Sequence, residues 1–228
     1  MTGIDPEEQT RVLAAESLAV GDATGWFERL YAAAGEGNAV VPWDRDEPQI
    51  LLVEWAERSG LTDGTASGRA LVVGAGLGHD AEYLAELGFS TVAFDVSDTA
   101  VQLAGQRFPQ STVDYRAADL LDPPDEWRRA FDLVVESLTV QSMPRPYRQR
   151  ATKQVAAFVS AGGSLLVIAS QYDPGTDPGD GPPWPLTRAE VDAFATGGLE
   201  AVRVEDIVVP GQPFGHRWRA EFRRPTDR

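Results

Sequence analysis

The sequence predicts an α/β fold: a doubly wound, mostly parallel seven-stranded sheet that ends in an antiparallel hairpin and follows an N-terminal helical segment. Three observations predict it. A short apolar run, a glycine turn and a helical pattern follow one another over residues 70–88. Strand-like and helical segments then alternate to residue 170, which is typical of a parallel sheet. Two alternating segments joined by PGQPFG predict the hairpin, residues 200–224.

The composition of the chain argues against several classes of partner. The net charge of −15 and the pI near 4.5 argue against a nucleic-acid partner and an anionic membrane surface. There are 0 cysteines and 2 histidines, His79 and His216, which argues against a cysteine-ligated or His-rich metal site. Carboxylate sites stay open on these counts, but no metal site is predicted. No apolar run approaches ~20 residues and the N-terminus is polar and acidic, so we expect a cytoplasmic protein.

The chain begins with a predicted helical cap, residues 1–65, within a single domain of 228 residues. Asp5 can cap the first helix, Pro6 suits its first turn and Glu8 stands at the capping-box position. The cap is either a lid over a ligand or a cover for one face of the sheet. Its predicted helices span residues 5–18, 26–34 and 49–59.

The predicted core spans residues 69–169. Its helices run from a Ser97 cap to about Phe108 and from about Arg145 to Phe158, where the turn AGG leads into the last core strand. A long irregular stretch, residues 170–185, follows that strand, and ligands in such folds bind beyond the carboxyl ends of strands. This stretch is therefore the predicted substrate loop. The core strands are predicted at 70–73, 90–95, 113–117, 131–136 and 164–170.

The glycine turn carries the first ligand signal. Gly74, Gly76 and Gly78 alternate directly after the first strand, where glycines let backbone N–H groups at a helix start approach a ligand closely. The dinucleotide fingerprint puts its third glycine five positions after the first, and His79 occupies that place. With Asp80 behind it, the turn suits a ligand that has no phosphates and a charged amino-acid end.

Three successive strands end in or beside an acid. Asp95 lies 21 residues after Gly74, where an acid accepts hydrogen bonds from both ribose hydroxyls. Asp119 follows the next strand and is placed to accept from an adenine amine, and Glu136 ends the fourth. Since parallel strands bring their carboxyl ends to one rim, these acids behind a glycine turn predict a nucleoside site.

LVVGAGLGHD, FDVS, AADLLD and FDLVVE, in that order and spacing, resemble the successive motifs of class I S-adenosylmethionine-dependent methyltransferases. The resemblance covers residues 69–169, and the terminal hairpin fits the antiparallel last strand of that fold. It implies S-adenosyl-L-methionine as the cofactor and a set of residues that bind it. These are Gly74, Ala75, Gly76, Gly78, Asp80, Asp95, Val96, Asp119, Leu120 and Glu136.

A narrower resemblance is to the thiopurine/thiol methyltransferase branch. It is carried by WFERLY and PWDRDEP before the first strand, FDLVVESLTVQSMP around the fourth and GPPWPLTRAEV after the fifth. The branch implies an N-terminal segment that folds over the cofactor, with Trp26 and Trp43 near it. The chain departs from the branch at Asp46 and Glu47, where a glycine usually follows the WD pair, and at SLTVQSM, where the branch is rich in aromatic residues.

The candidate catalytic residues are Glu136 and His79. A sulfonium already makes its methyl carbon electrophilic, so the protein mainly has to orient the acceptor, and a general base helps when the acceptor arrives protonated. Glu136 is a candidate for a general base or for a residue that holds a substrate cation; its alternative role is that of a structural carboxylate. His79 is expected either to contact the methionine end of the cofactor or to cap the helix. Tyr147, Asp173 and Trp184 are candidate substrate residues, although Trp184 could simply anchor its loop.

The sequence thus favours methyl transfer to a sulfur, nitrogen or oxygen atom of a small molecule, and acidic walls would favour a neutral or cationic acceptor such as an amine or a thiol. Two alternatives stay open. One is a nicotinamide-dependent oxidoreductase on the same scaffold, against which His79 counts; the other is a cofactor-binding protein without catalysis.

Overall fold

The computed structural model describes residues 5–62, 64–172, 181–209 and 215–226. The helices are α1 Pro6–Ala19, α2 Gly25–Gly35, α3 Ile50–Arg58, α4 His79–Glu86, α5 Asp98–Arg107, α6 Arg145–Phe158 and α7 Arg188–Asp192. The strands are β1 Arg69–Val73, β2 Ser90–Asp95, β3 Asp114–Ala117, β4 Phe131–Ser137, β5 Val159–Ser170, β6 Glu200–Val208 and β7 His216–Arg223. Across these described ranges no helix is long and apolar enough to cross a membrane.

The strands form one sheet in the order β3-β2-β1-β4-β5-β7-β6. Only β7 runs antiparallel to its neighbours, β5 and β6. The predicted seven-stranded, mostly parallel sheet with an antiparallel hairpin is confirmed. Strand order reverses at β1, which pairs with both β2 and β4, and such a switch point leaves a crevice beyond the strand ends.

The strand register brings the predicted site together. Val73, the last residue of β1, pairs with Phe94 on one side and Glu136 on the other. Asp95 pairs with Ala117 at the end of β3. Because these strands are parallel, the glycine turn after β1 lies between the ends of β2 and β4.

Two apolar clusters cover the two faces of the sheet. One includes Phe94, Trp127 and Phe158, and the other includes Leu52 of α3 and Leu84 of α4. Burying such side chains is the main contribution to stability, at ~25 cal/mol per Å² of apolar surface. Helix α3 therefore covers a sheet face.

Helices α1 and α2 form a third apolar cluster of their own. Trp26, Leu30 and Tyr31 of α2 pack with Ala14 of α1 and with Ala100 of α5. The two helices thus attach to the start of α5, beside the crevice, rather than to the sheet. The N-terminal segment divides the two roles expected of it between α3, which covers the sheet, and α1 with α2, which border the crevice.

Most predicted boundaries lie within two residues of the observed ones, and β5 is the exception. The turn AGG was expected to precede a strand at 164–170, but β5 begins directly after α6 at Val159. Phe131 pairs with Val159 and Leu133 with Ser164, so the extra residues form an irregularity within the strand. Gly162 adopts φ +76° and donates its N–H to Arg224 O at 3.0 Å. This hydrogen bond holds the extra residues of β5 against the end of β7.

Candidate active site

A cavity of about 790 Å³ opens at the carboxyl ends of the strands, within the size range of small-molecule sites. Most of the predicted cofactor residues line it. They are Gly74, Ala75, Gly76, Gly78, Asp80, Asp95, Val96, Asp119, Leu120 and Trp43, and His79 lines it as well. Four predicted residues are not among the lining residues, namely Trp26, Glu136, Tyr147 and Trp184. Asp173 lies outside the described residues.

The glycine turn is packed from both sides. Gly74 and Gly76 adopt φ +64° and +53°, a left-handed conformation that costs other residues about 1–2 kcal/mol. A Cβ at Gly74 would lie 2.5 Å from Thr139 Oγ1, and one at Gly76 would lie 2.9 Å from the Tyr31 hydroxyl. The turn therefore needs glycine both for its backbone angles and for the space beside it.

Asp95 is the most enclosed carboxylate that lines the cavity, with 6% of its surface exposed. Its Oδ2 accepts from Gly76 N at 2.9 Å and its Oδ1 from Ser97 N at 3.0 Å. Burial raises the pKa of Asp95. Each carboxylate oxygen can accept a further hydrogen bond, and a buried charge is stabilised by such donors. This fits a ligand with two hydroxyl groups at this position.

Two more of the predicted carboxylates line the cavity. Asp119 is half-buried beyond β3 and accepts from Leu121 N at 2.8 Å. Asp80, near the start of α4, accepts from Gln49 N at 2.7 Å. Burial raises the pKa of Asp80. Both acids line the same cavity as the glycine turn and Asp95, so the cavity offers further acceptors to a polar ligand.

His79 is held by the cap loop, residues 36–49, and by α5. Asp44 accepts from both Arg107 guanidinium nitrogens, at 2.8 and 3.0 Å, and the His79 Nε2 lies 3.0 Å from Arg107. Its ring meets Phe108 edge-on, with centroids 5.2 Å apart. Burial and the neighbouring guanidinium lower the pKa of His79. These contacts fit a residue that joins the start of α4 to α5 better than a proton carrier.

Glu136 was expected to be either a base or cation holder, or a structural carboxylate. The side chain is 0% exposed and does not line the cavity. Its Oε1 accepts from Thr139 N and Val140 N, both at 2.8 Å, while Oε2 has no hydrogen-bond partner among the described residues. Burial raises its pKa to about 7. The contacts match the structural alternative, a carboxylate that folds the loop after β4 back over the strand end.

The cap supplies an aromatic wall, which the sequence predicted only in part. Trp43 lines the cavity and donates its Nε1 to the Tyr31 hydroxyl at 2.9 Å. Trp26 lies behind it, fully buried and stacked on Phe27 at 3.7 Å. Tyr31 was not predicted, although WFERLY places Phe27 and Tyr31 four residues apart on one helix face. Its hydroxyl lies directly over Gly76.

The far side of the cavity, named here the acceptor end, lies beyond β4, β5 and the start of β7. Its wall is mostly apolar. Arg217 adds a guanidinium that is 8% exposed, and burial, followed by the charge of Arg45, lowers its pKa. The residues that line the acceptor end are Leu138, Gln141, Ser142, Met143, Ser170, Pro182, Pro183, Val209 and Arg217.

Two predicted substrate residues do not line the cavity. Tyr147, in the first turn of α6, packs against the core cluster. Trp184 donates its backbone N–H to Gln141 O at 2.8 Å and accepts at its own carbonyl from Arg148. Trp184 therefore anchors its loop, the alternative that the sequence left open, and its neighbours Pro182 and Pro183 face the cavity.

Comparison with known proteins agrees with this geometry. The sequence model of the thiopurine S-methyltransferase (TPMT) family matches residues 34–221. The chain is 27% identical over 206 residues to "Thiocyanate methyltransferase 1" of Brassica oleracea, covering 89% of this chain and 84% of the relative. It is 24% identical over 188 residues to "Probable thiol methyltransferase 2" of Arabidopsis thaliana, covering 81% and 78%. Its fold matches an N-methyltransferase from Bradyrhizobium japonicum solved with S-adenosyl-L-homocysteine, with a TM-score of 0.65 at 19% identity over 87% of this chain and 99% of that one.

Proposed function

This chain belongs to the thiopurine S-methyltransferase family, and we propose that its acceptor is a small sulfur nucleophile that reaches the site already ionised. It is an S-adenosylmethionine-dependent methyltransferase that acts on small molecules. Neither the oxidoreductase nor the non-catalytic alternative gains support from the relatives.

The residues that we assign to S-adenosylmethionine are those that line one side of the cavity. The glycine turn and Asp80 would hold the amino-acid end, Asp95 the ribose hydroxyls and Asp119 the adenine amine, with Val96 and Leu120 beside the base. The bound group supplies a sulfonium whose methyl carbon is electrophilic. What the protein adds is orientation of the acceptor, which can lower a barrier by roughly 7–11 kcal/mol.

The observation that carries the proposal is the chemistry of the acceptor end. The nine residues that define the acceptor end include no carboxylate, imidazole or amine, and we assign the carboxylates that line the same cavity, Asp80 among them, to the cofactor side and the cap. Glu136 is sealed below the loop, and His79 is held beside Arg107 on the cofactor side. A general base typically contributes ~10²–10⁴-fold when the acceptor must lose a proton. An acceptor that ionises in water needs no such residue.

Thiols meet that requirement. An unperturbed thiol has a pKa of about 8.5, far below those of alcohols, and its thiolate is an intrinsically strong nucleophile. The Arg217 guanidinium at the acceptor end favours the anionic form of a ligand beside it. The proposed anionic acceptor differs from the neutral or cationic acceptor expected from overall acidity. The names of the two plant relatives, a thiocyanate and a thiol methyltransferase, agree with a sulfur acceptor.

A series of ring-substituted thiophenols with different pKa values tests the proposal, with formation of S-adenosylhomocysteine as the readout. We expect the pH at which kcat/KM levels off to follow the pKa of each thiophenol. Phenols and anilines of matched shape should react at least about 100-fold more slowly. A plateau that stays at one pH for every thiol would indicate a base on the protein, and faster reaction with a phenol or an aniline would contradict the acceptor class.

Substitutions at two residues, Arg217 and Glu136, separate their roles. Arg217→Met should raise the KM for the thiol about tenfold and leave that for S-adenosylmethionine unchanged, whereas Arg217→Lys should recover part of the loss because it keeps the charge. Glu136→Gln should leave kcat/KM within about threefold, since general-base removal would cost ~10²-fold or more. A large loss in Glu136→Gln at unchanged stability would restore Glu136 as the base.

A further inference from the structure

Glu28 of α2 is bound to the start of α5, across a sequence separation of about seventy residues. Its Oε2 accepts from Ser97 Oγ at 2.6 Å and from Thr99 N at 3.1 Å, and its Oε1 accepts from Thr99 Oγ1 at 2.5 Å. Burial opposes the charge, but these hydrogen bonds lower the pKa of Glu28 overall. A carboxylate at a helix N-terminus is also stabilised by the helix dipole.

The same turn orients Asp95. Ser97 N donates to Asp95 Oδ1 at 3.0 Å, while the Ser97 hydroxyl accepts from Ala100 N at 3.0 Å and caps α5. Glu28 holds that hydroxyl from the other side. One hydrogen-bonded chain therefore runs from the cap helix through Ser97 to the carboxylate that lines the cavity.

We propose that Glu28 is a positioning residue for S-adenosylmethionine: it fixes the Ser97 turn, and through it the Asp95 carboxylate, so that the ribose hydroxyls meet a preset acceptor. Glu28 does not line the cavity, so it acts through Ser97 and touches no ligand. The inference rests on the assignment of Asp95 to the ribose.

This series of hydrogen bonds predicts how substitutions of Glu28 should differ in their effect on ligand binding. Glu28→Ala removes the carboxylate that accepts from Ser97 and Thr99, which frees the turn to move. Glu28→Gln keeps one oxygen for Thr99 N and the Ser97 hydroxyl, and its amide can donate to the Thr99 hydroxyl, so it should recover most of the effect. Glu16 of α1 is a matched control, because it pairs with Arg29 on the exposed surface of the same helical pair and touches nothing at α5.

Titration calorimetry with S-adenosylhomocysteine and its 2′-deoxy analogue tests the inference without any acceptor. The unsubstituted protein should bind the analogue about tenfold more weakly, since a hydrogen bond to a charged group is lost. Glu28→Ala should weaken S-adenosylhomocysteine about tenfold and reduce the discrimination to about twofold. Glu28→Gln and Glu16→Ala should discriminate as the unsubstituted protein does.

The outcomes are distinguishable. If Glu28→Ala lowers the melting temperature but discriminates the two ligands as well as the unsubstituted protein, Glu28 is structural and the inference is overturned. If the unsubstituted protein itself does not discriminate, the assignment of Asp95 to the ribose is overturned, and the inference with it. Circular dichroism of each variant establishes that it is folded. A change in acceptor specificity would bear on the proposed function alone, because these titrations contain no acceptor.

Discussion

Gly74→Ala should destabilise the protein through two separate effects. The φ of +64° would impose a left-handed conformation on alanine, at about 1–2 kcal/mol. The new Cβ would lie 2.5 Å from Thr139 Oγ1, so Thr139 must move and give up its 2.9 Å hydrogen bond to Val73 O, worth about 1 kcal/mol. The sum, about 2–3 kcal/mol, corresponds to a fall in melting temperature of about 4–12 °C for a chain of this size. Urea denaturation followed by circular dichroism measures the free energy of unfolding directly.

Two other glycines separate these effects. Gly21 has φ +79° and no neighbouring atom within 4 Å of the place that a Cβ would take, and Gly105 of α5 has open space with no positive φ. Gly21→Ala should therefore show the backbone cost alone, about 1–2 kcal/mol, and Gly105→Ala should stabilise by about 0.5–1 kcal/mol. If Gly74→Ala costs no more than Gly21→Ala, then the contact with Thr139 carries no energy and the reasoning about a tightly packed turn is refuted.

Three further outcomes are expected. Burial raises the pKa of Glu136 from 4.5 to about 7, so between these two pH values the folded protein binds a proton that the unfolded chain releases. The free energy of unfolding should therefore fall as pH rises through 7, by up to about 3 kcal/mol relative to Glu136→Gln between about pH 5 and 8. Urea midpoints of the two proteins measure this fall, and parallel curves would contradict it. Tyr31→Phe removes the acceptor of Trp43 Nε1 and should raise the KM for S-adenosylmethionine about 3–10-fold in steady-state kinetics, whereas an unchanged KM would separate the aromatic wall from binding. Asp44→Asn breaks a partly exposed ion pair with Arg107 that is worth about 0–1 kcal/mol. Calorimetry should find that S-adenosylhomocysteine binds this variant more weakly and with less dependence on salt, and equal salt dependence in both proteins would count against that contact.

The cofactor side of the site was predictable because its residues follow strands directly. A glycine turn after β1, an acid at the end of β2 and another beyond β3 must meet at one rim once the strands are parallel, and Gly74, Asp95 and Asp119 line one cavity. The same logic failed for Glu136. The strand-end position was right, but the next residues fold back, Leu138 with φ +63°, and their N–H groups enclose the carboxylate.

The acceptor side was not predictable in the same way. Arg217 is the second residue of β7. In a strand, the alternation of polar and apolar residues predicts which face of the sheet a side chain lies on, but not which cavity it lines. Glu28 and Tyr31 lie on a helix whose partners are α5 and the glycine turn. Their roles depend on contacts between segments that lie far apart along the chain, and no local pattern specifies those.

By itself the sequence determined the strand and helix order, the parallel sheet and the rim that suits an adenosyl ligand, because hydrophobic periodicity, glycine conformation and strand direction are local properties of the chain. Only the tertiary structure decided which carboxylates face the cavity, how the N-terminal helices attach and what lines the acceptor end. Those outcomes depend on burial and on hydrogen bonds between residues far apart in the sequence. Such contacts form only when the whole chain has folded.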